Sequence, residues 1–178
     1  MFTRKKVFIS VKTQICCLTG HRPSKLPWGY NEDSESCKNF KLAVREIVEN
    51  LIEHGVYRFY TGMAEGFDMI ATEILIELRK HRNIEIIAVV PCLEQEKFWS
   101  NVQQKRYRDI LKKCDSSMLI SREYTSSCMN ERNKYMVENS SIVFACYDNS
   151  SNGGTRNTII MAKKKGRNIV VINPKDYV

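Results

Sequence analysis

The chain has 178 residues, 43% of them hydrophobic, which is enough for one domain with a full core and needs no disulfide or metal to staple it. Its formal charge of +8 is compatible with nucleic acid or with small anionic ligands, but the densest basic groups, Arg4-Lys5-Lys6 and Lys163-Lys164-Lys165, are short and read as solvated surface. The longest apolar stretch, 84–92, contains Glu85 and is far too short to cross a bilayer, so no membrane role is expected.

The opening MFTRKKVFISVK has no sustained apolar core and no small-residue cleavage site, and reads as a frayed or edge segment instead of a signal peptide. A short apolar run at 15–19 ending in Gly20 reads as a buried strand. After a polar loop with Pro23, Pro27 and Gly29, Phe40, Val44, Ile47 and Leu51 recur at helical spacing, and Gly55 closes that helix in a left-handed cap position. Residues 56–60 form the second strand, ended by Thr61-Gly62, and Phe67, Ile70, Ala71, Ile74, Leu75 and Leu78 trace one face of the second helix. The third strand, 84–90, is apolar apart from Glu85, as burial on both faces requires, and Pro91 closes it. A helical region over 93–113 is expected to break in two near Trp99. A brief strand at 117–120, a helix at 127–138, a strand at 142–147, a helix at 155–165 and a strand at 168–172 complete the chain.

Strand and helix thus alternate. That order predicts an α/β Rossmann-like three-layer sandwich, with a mostly parallel sheet of about six strands and helices on both faces. The chain is read as a single domain over 1–178, with its core at about 15–174. Right-handed crossovers bring the loops after each strand to one edge, where ligands of such folds bind. The seven cysteines form no CxxC pair, and the three histidines, at 21, 54 and 81, show no metal-ligand spacing. Buried reduced thiols are expected, which suits a reducing, cytoplasmic location.

Three loops share one form, an apolar strand, then glycine with small or polar residues, then a helix: Thr19-Gly20-His21-Arg22-Pro23, Thr61-Gly62-Met63-Ala64-Glu65-Gly66-Phe67-Asp68, and Ser151-Asn152-Gly153-Gly154-Thr155. Glycine lets backbone approach a ligand, and the helix start that follows offers free N–H groups and the positive dipole end. Together the three loops predict an anion site. None of them is GxxxxGK[ST] or GxGxxG, which speaks against P-loop ATP hydrolysis and against ordinary dinucleotide dehydrogenase chemistry. Arg22 is placed to grip a phosphate bidentately. His21 either donates to the ligand or packs the loop. Glu65, a carboxylate that would repel phosphate, is expected to accept from ribose hydroxyls, to hold a divalent cation, or to serve as acid or base. Asp68 sits in a first helical turn, where capping is the simpler role. Gln95 and Trp99 lie just beyond Pro91, and Trp99 either stacks on a base or packs between helices. Asn130, Arg132 and Asn133 cluster at a helix start that can reach the same edge.

The strings TGHRP at 19–23, TGMAEGFDMIATE at 61–73, VVPC followed by Gln95 and Trp99, RNKYMVENS at 132–140 and GGTRNTIIMAKKKG at 153–166 together resemble the SLOG superfamily, and within it the YpsA-like branch. The resemblance runs from about Ile15 to Pro174 with the motifs in the same order. It implies a Rossmann-like fold and a nucleotide-derived ligand, ADP-ribose-like molecules included. It also implies that the family's glycine and acidic loop positions fall on Gly62, Glu65, Gly66 and Asp68, and its second glycine pair on Gly153, Gly154 and Thr155. Another branch, the LOG or lysine-decarboxylase-like proteins, splits the N-glycosidic bond of nucleoside monophosphates with a PGGxGTxxE signature. Here that loop lacks the proline, its glycines are closed up, and no glutamate follows Thr155 three residues on. A third branch binds single-stranded DNA, which the short, dispersed basic groups do not favour.

The expected function is therefore binding or sensing of a nucleotide or nucleotide derivative. The alternatives are hydrolysis of an N-glycosidic or phosphate bond with Glu65 as acid or base, and, further behind, single-stranded DNA binding. Assembly into a homo-oligomer stays open, since no exposed apolar stripe stands out.

Overall fold

The computed structural model describes residues 14–150 and 152–178. The expectations for 1–12, for the Arg4-Lys5-Lys6 group and for Ser151 lie outside the described residues. Six strands, β1 (Gln14–Gly20), β2 (Val56–Thr61), β3 (Glu85–Val90), β4 (Ser116–Leu119), β5 (Ile142–Cys146) and β6 (Asn168–Ile172), alternate with α1 (Glu35–Glu53), α2 (Phe67–Arg79), α3 (Asn101–Leu111), α4 (Cys128–Glu138) and α5 (Gly154–Lys164). Short 3-10 turns at Pro23–Lys25 and Pro174–Tyr177 complete the described elements.

Every strand pair is parallel, in the order β4-β3-β2-β1-β5-β6. The architecture is the expected Rossmann-like three-layer α/β sandwich. From β1 the chain steps outward through β2 and β3 to β4, with α1, α2 and α3 packed side by side on one face. It then returns across the sheet through α4, places β5 against the other side of β1, and carries α5 to β6, so that α4 and α5 pack on the opposite face. Right-handed crossovers impose this division of faces once the strand order is set.

Burial on two faces explains why the central strands read as unbroken apolar runs. Cys16 and Leu18 of β1 join Phe40, Phe67 and Phe144 in the larger core, while Cys17 points to the other side with Met136, Val143 and Ala162. All seven cysteines are free and six are buried. Burial pushes the Cys17 thiol up to about 12, which keeps it protonated and inert. At α1, the Ser34 hydroxyl caps the start by accepting from the Cys37 N–H at 3.2 Å. Cys37, Phe40, Val44, Val48 and Leu51 then form the buried stripe, and Gly55, at φ +96°, ends it.

One expected element is absent. Residues 93–99 form successive turns, with Glu94 at φ +55° and N–H bonds reaching back only three residues, from Lys97 to Glu94 and from Trp99 to Glu96. The helix begins at Asn101, where Ser100 Oγ accepts from the Gln103 N–H. Polar residues at 94–97 provide no apolar stripe to dock a helix there, and tight turns win. Among the described residues no helix is long and apolar enough to cross a membrane.

Candidate functional site

Between β1 and β5 the connections part: the chain leaving β1 goes to α1 on one face, and the chain leaving β5 goes to α5 on the other. Such a switch point leaves a crevice at the carboxyl ends of the strands. A hollow of about 330 Å³ occupies it.

The first loop supplies Thr19, Gly20, His21 and Arg22 to the lining, followed by Ser24 and Lys25. Gly20 is required because a Cβ there would lie 2.4 Å from the Phe67 ring. The His21 carbonyl accepts from the Phe67 N–H at 3.1 Å, which ties this loop to the first turn of α2. Its imidazole Nε2 sits 2.7 Å from Asp148 Oδ1, while Lys175 Nζ meets Asp148 Oδ2 at 2.9 Å. The Lys175 ammonium foremost, with His21 and Ser150, holds the Asp148 carboxyl well below the usual carboxylate range. His21 is thus clamped to the chain leaving β5. The Arg22 guanidinium lies 6.0 Å from the centroid of the Trp99 ring. Lys25 Nζ donates to the Asn152 carbonyl at 3.2 Å, spanning the mouth from the first loop to the third.

The second loop behaves differently. Only Ala64 of it lines the hollow, joined by Asp68 in the first turn of α2. Thr61 Oγ1 accepts from the Met63 N–H at 3.2 Å and from Thr72 Oγ1 at 2.9 Å, so this hydroxyl braces the loop from within. Met63 is buried at φ +55°. The Gly62 carbonyl accepts a short hydrogen bond from Arg132 Nη1, and a Cβ at Gly62 would fall 1.8 Å from that nitrogen. Gly66 takes φ +88°, and a Cβ there would meet the His21 carbonyl at 2.5 Å. Both glycines serve close approach of protein to protein. Glu65 stands outside the lining with 9% of its surface exposed, and Tyr30 Oη donates to its Oε1 at 3.2 Å. Burial raises its pKa, against the Tyr30 hydrogen bond and the Arg22 charge. Gln95, whose Nε2 reaches the Met63 carbonyl at 3.5 Å, and Trp99, packed edge-on against Tyr107, also lie outside.

Two helix starts complete the walls. Met129, Asn130, Arg132 and Asn133 enter from α4. The Arg132 side chain is almost fully buried, and its Nε donates to Asn133 Oδ1 at 2.7 Å. Burial presses Arg132 and Asp68 toward neutrality, and the charge of each opposes that in the other. Gly153, Gly154 and Thr155 enter from α5 together with Asn152. Gly153 sits at φ +113° and, as the N-cap residue, has no side chain to cap this helix, so among the described residues its first-turn N–H groups face the hollow. A Cβ at Gly154 would meet nothing within 4 Å, so the space in front of it is open.

The hollow therefore gathers three cations (Arg22, Lys25 and Arg132), two helix starts and one carboxylate, Asp68. That arrangement attracts anions. Of the residues predicted from sequence, Thr19, Gly20, His21, Arg22, Ala64, Asp68, Asn133, Gly153, Gly154 and Thr155 are brought together there, whereas Thr61, Gly62, Met63, Glu65, Gly66, Gln95 and Trp99 stand behind or beside them. Asn152 came in with its glycine loop, whereas Ser24, Lys25, Met129 and the Asp148 clamp were not foreseen. Their one local signal is position, within a few residues of a strand's carboxyl end or of a helix start. Among the described residues, no group of three His, Cys, Asp or Glu side chains is placed to hold a metal ion.

The family model described as YspA SLOG family matches residues 16–176. The chain is similar to the UPF0398 protein BH1768 of Halalkalibacterium halodurans, 28% identical over 170 residues that cover 92% of this chain and 89% of that protein. It is also similar to the uncharacterized SPbeta prophage-derived protein YoqJ of Bacillus subtilis, 34% identical over 132 residues that cover 66% and 77% of the two. A UPF0398 protein of Bacillus thuringiensis is 25% identical over 156 residues, covering 86% and 84%.

Proposed function

Since the chain belongs to the YspA SLOG family, we propose that it binds a nucleotide or nucleotide derivative, with the phosphate seated in the hollow between the carboxyl ends of β1 and β5. The observation that carries this reading is that Arg22, Lys25 and Arg132 line the same hollow as the glycine-led start of α5. Charge-assisted hydrogen bonds from guanidinium, together with backbone N–H groups at a helix start, are what a phosphate oxygen requires. The volume, about 330 Å³, is at the small end for a ligand pocket. It suits a phosphate with its sugar, the base lying toward the mouth. Glu65, the acid or base that bond hydrolysis would use, stands outside the lining and is held by Tyr30, so binding without turnover is the reading the geometry favours.

Thermal-shift measurements against AMP, ADP-ribose, NAD and cyclic nucleotides test this. A true ligand at ten times its Kd adds roughly 1.4 kcal/mol of stability, and Arg132→Met removes that gain. Folded wild-type protein that shifts with none of these compounds refutes the reading.

A further inference from the structure

A site built for a bare anion has no use for a buried carboxylate, yet one lines this hollow. Asp68 is only 4% exposed and belongs to the lining together with Arg22, Lys25 and Arg132. Its one hydrogen bond among the described residues comes from the Ala64 N–H to Oδ2, at 3.3 Å. The Arg132 guanidinium does not close on it as an ion pair: Nη1 is directed to the Gly62 carbonyl and Nε to Asn133 Oδ1. The negative charge of Asp68 is therefore offset at a distance and not capped by contact.

Against burial, the Arg132 charge favours the ionised form of Asp68, and an ionised carboxylate accepts hydrogen bonds and donates none. Beside a bound phosphate it is repulsive, and it becomes favourable only where the ligand brings donors of its own to it. A ligand that presents an anionic group and, a few bonds away, one or more hydroxyls satisfies the cations, the helix start and the carboxylate together. We infer that Asp68 is a specificity-determining residue that accepts hydrogen bonds from sugar hydroxyls, so that the hollow selects phosphate esters of a polyol such as ribose over inorganic phosphate and over hydroxyl-free phosphate esters. This inference rests on the proposed phosphate seat and deepens it. It also assigns the recognition of hydroxyls, one of three roles the sequence pattern offered for Glu65, to the carboxylate that shares a wall with the cations.

Calorimetric titration with inorganic phosphate, methyl phosphate and ribose 5-phosphate is the test. Wild-type protein is expected to bind ribose 5-phosphate at least tenfold more tightly than methyl phosphate. Asp68→Asn keeps the side-chain shape and an oxygen for the Ala64 N–H while removing the charge. In that variant inorganic phosphate binds as tightly or several-fold more tightly, and ribose 5-phosphate binds about tenfold more weakly. A loss confined to ribose 5-phosphate is the signature, because a residue that merely braces the loop would weaken both. Should Asp68→Asn fail to fold, the wild-type comparison of methyl phosphate with ribose 5-phosphate decides alone. Equal affinity for those two esters, or a parallel change for both probes in the variant, overturns the assignment of Asp68 and leaves the phosphate seat standing. Absence of binding by all three compounds to folded wild-type protein overturns the phosphate seat and the inference together.

Discussion

Two stretches of the same sheet edge, built from the same kind of strand and loop, end up chemically opposite. Over β1 and β5 the edge opens into a polar hollow with Arg22, Lys25, Arg132 and Asp68 in its walls. Over β2 and β3 it is closed: Met63, Ala88, Val90, Tyr107 and Ile110 form a buried cluster with Trp99 packed against it. The connections explain the difference. The chain leaves β2 and β3 for the same face, so α2 and α3 pack together and their loops stack on one another. It leaves β1 and β5 for opposite faces, and among the described residues the gap between them stays open. Gly154 in the first region faces open space, while Gly62 in the second admits another part of the protein.

This contrast can be broken at its boundary. Gly62→Ala places a methyl group on Arg132 Nη1 and displaces a buried guanidinium that serves both regions. The expected cost is about 4 kcal/mol, read from the urea midpoint, with the ligand-induced thermal shift lost as well. Tyr107→Ala acts only on the closed side. It should cost about 3 kcal/mol through the cavity it leaves, yet change the affinity for ribose 5-phosphate less than twofold. A large loss of affinity there would mean the two regions are not separate.

Asp148→Asn tests the clamp on the open side. Because the folded carboxyl is held below its ordinary range, its contribution is present above about pH 4 and is lost as pH falls further. The variant should be less stable by about 1 kcal/mol at pH 7, and urea titrations at descending pH should show that deficit shrinking. A deficit that grows in acid would reverse the sign and remove Asp148 as the anchor of His21. The smallest effect is expected for Lys25→Ala. Its only described partner is Asn152 at the mouth, so stability should change by less than about 0.5 kcal/mol. Phosphate affinity should nevertheless fall several-fold at low salt and less at high salt.

Much of the scaffold was legible in the chain because burial on both sheet faces leaves a local trace. The run at 142–147 and the run at 168–172 read as strands, and they are β5 and β6. The apolar spacing of Phe67, Ile70, Ala71, Leu75 and Leu78 is the buried face of α2. The stretch 93–99 was misread because a polar segment beside a true helix carries no period that separates turn from helix. At the site, the first and third glycine loops and Asp68 were legible, since glycine before a helix start has a simple physical meaning. The second loop looked the same in sequence, yet its Gly62 and Gly66 answer to the Arg132 guanidinium and the His21 carbonyl, partners 70 and 45 positions away in the chain.

The amino-acid order by itself determined the alternation of strands and helices, the parallel sheet that follows from it, and the loops able to expose backbone N–H groups. Only the tertiary structure decided which of those loops share a hollow, because that depends on the return of the chain through α4 to set β5 beside β1. Strand order is a matter of long-range packing and leaves no local pattern. The same return brings Arg132 opposite Asp68 and Asp148 opposite His21, turning scattered charges into one site.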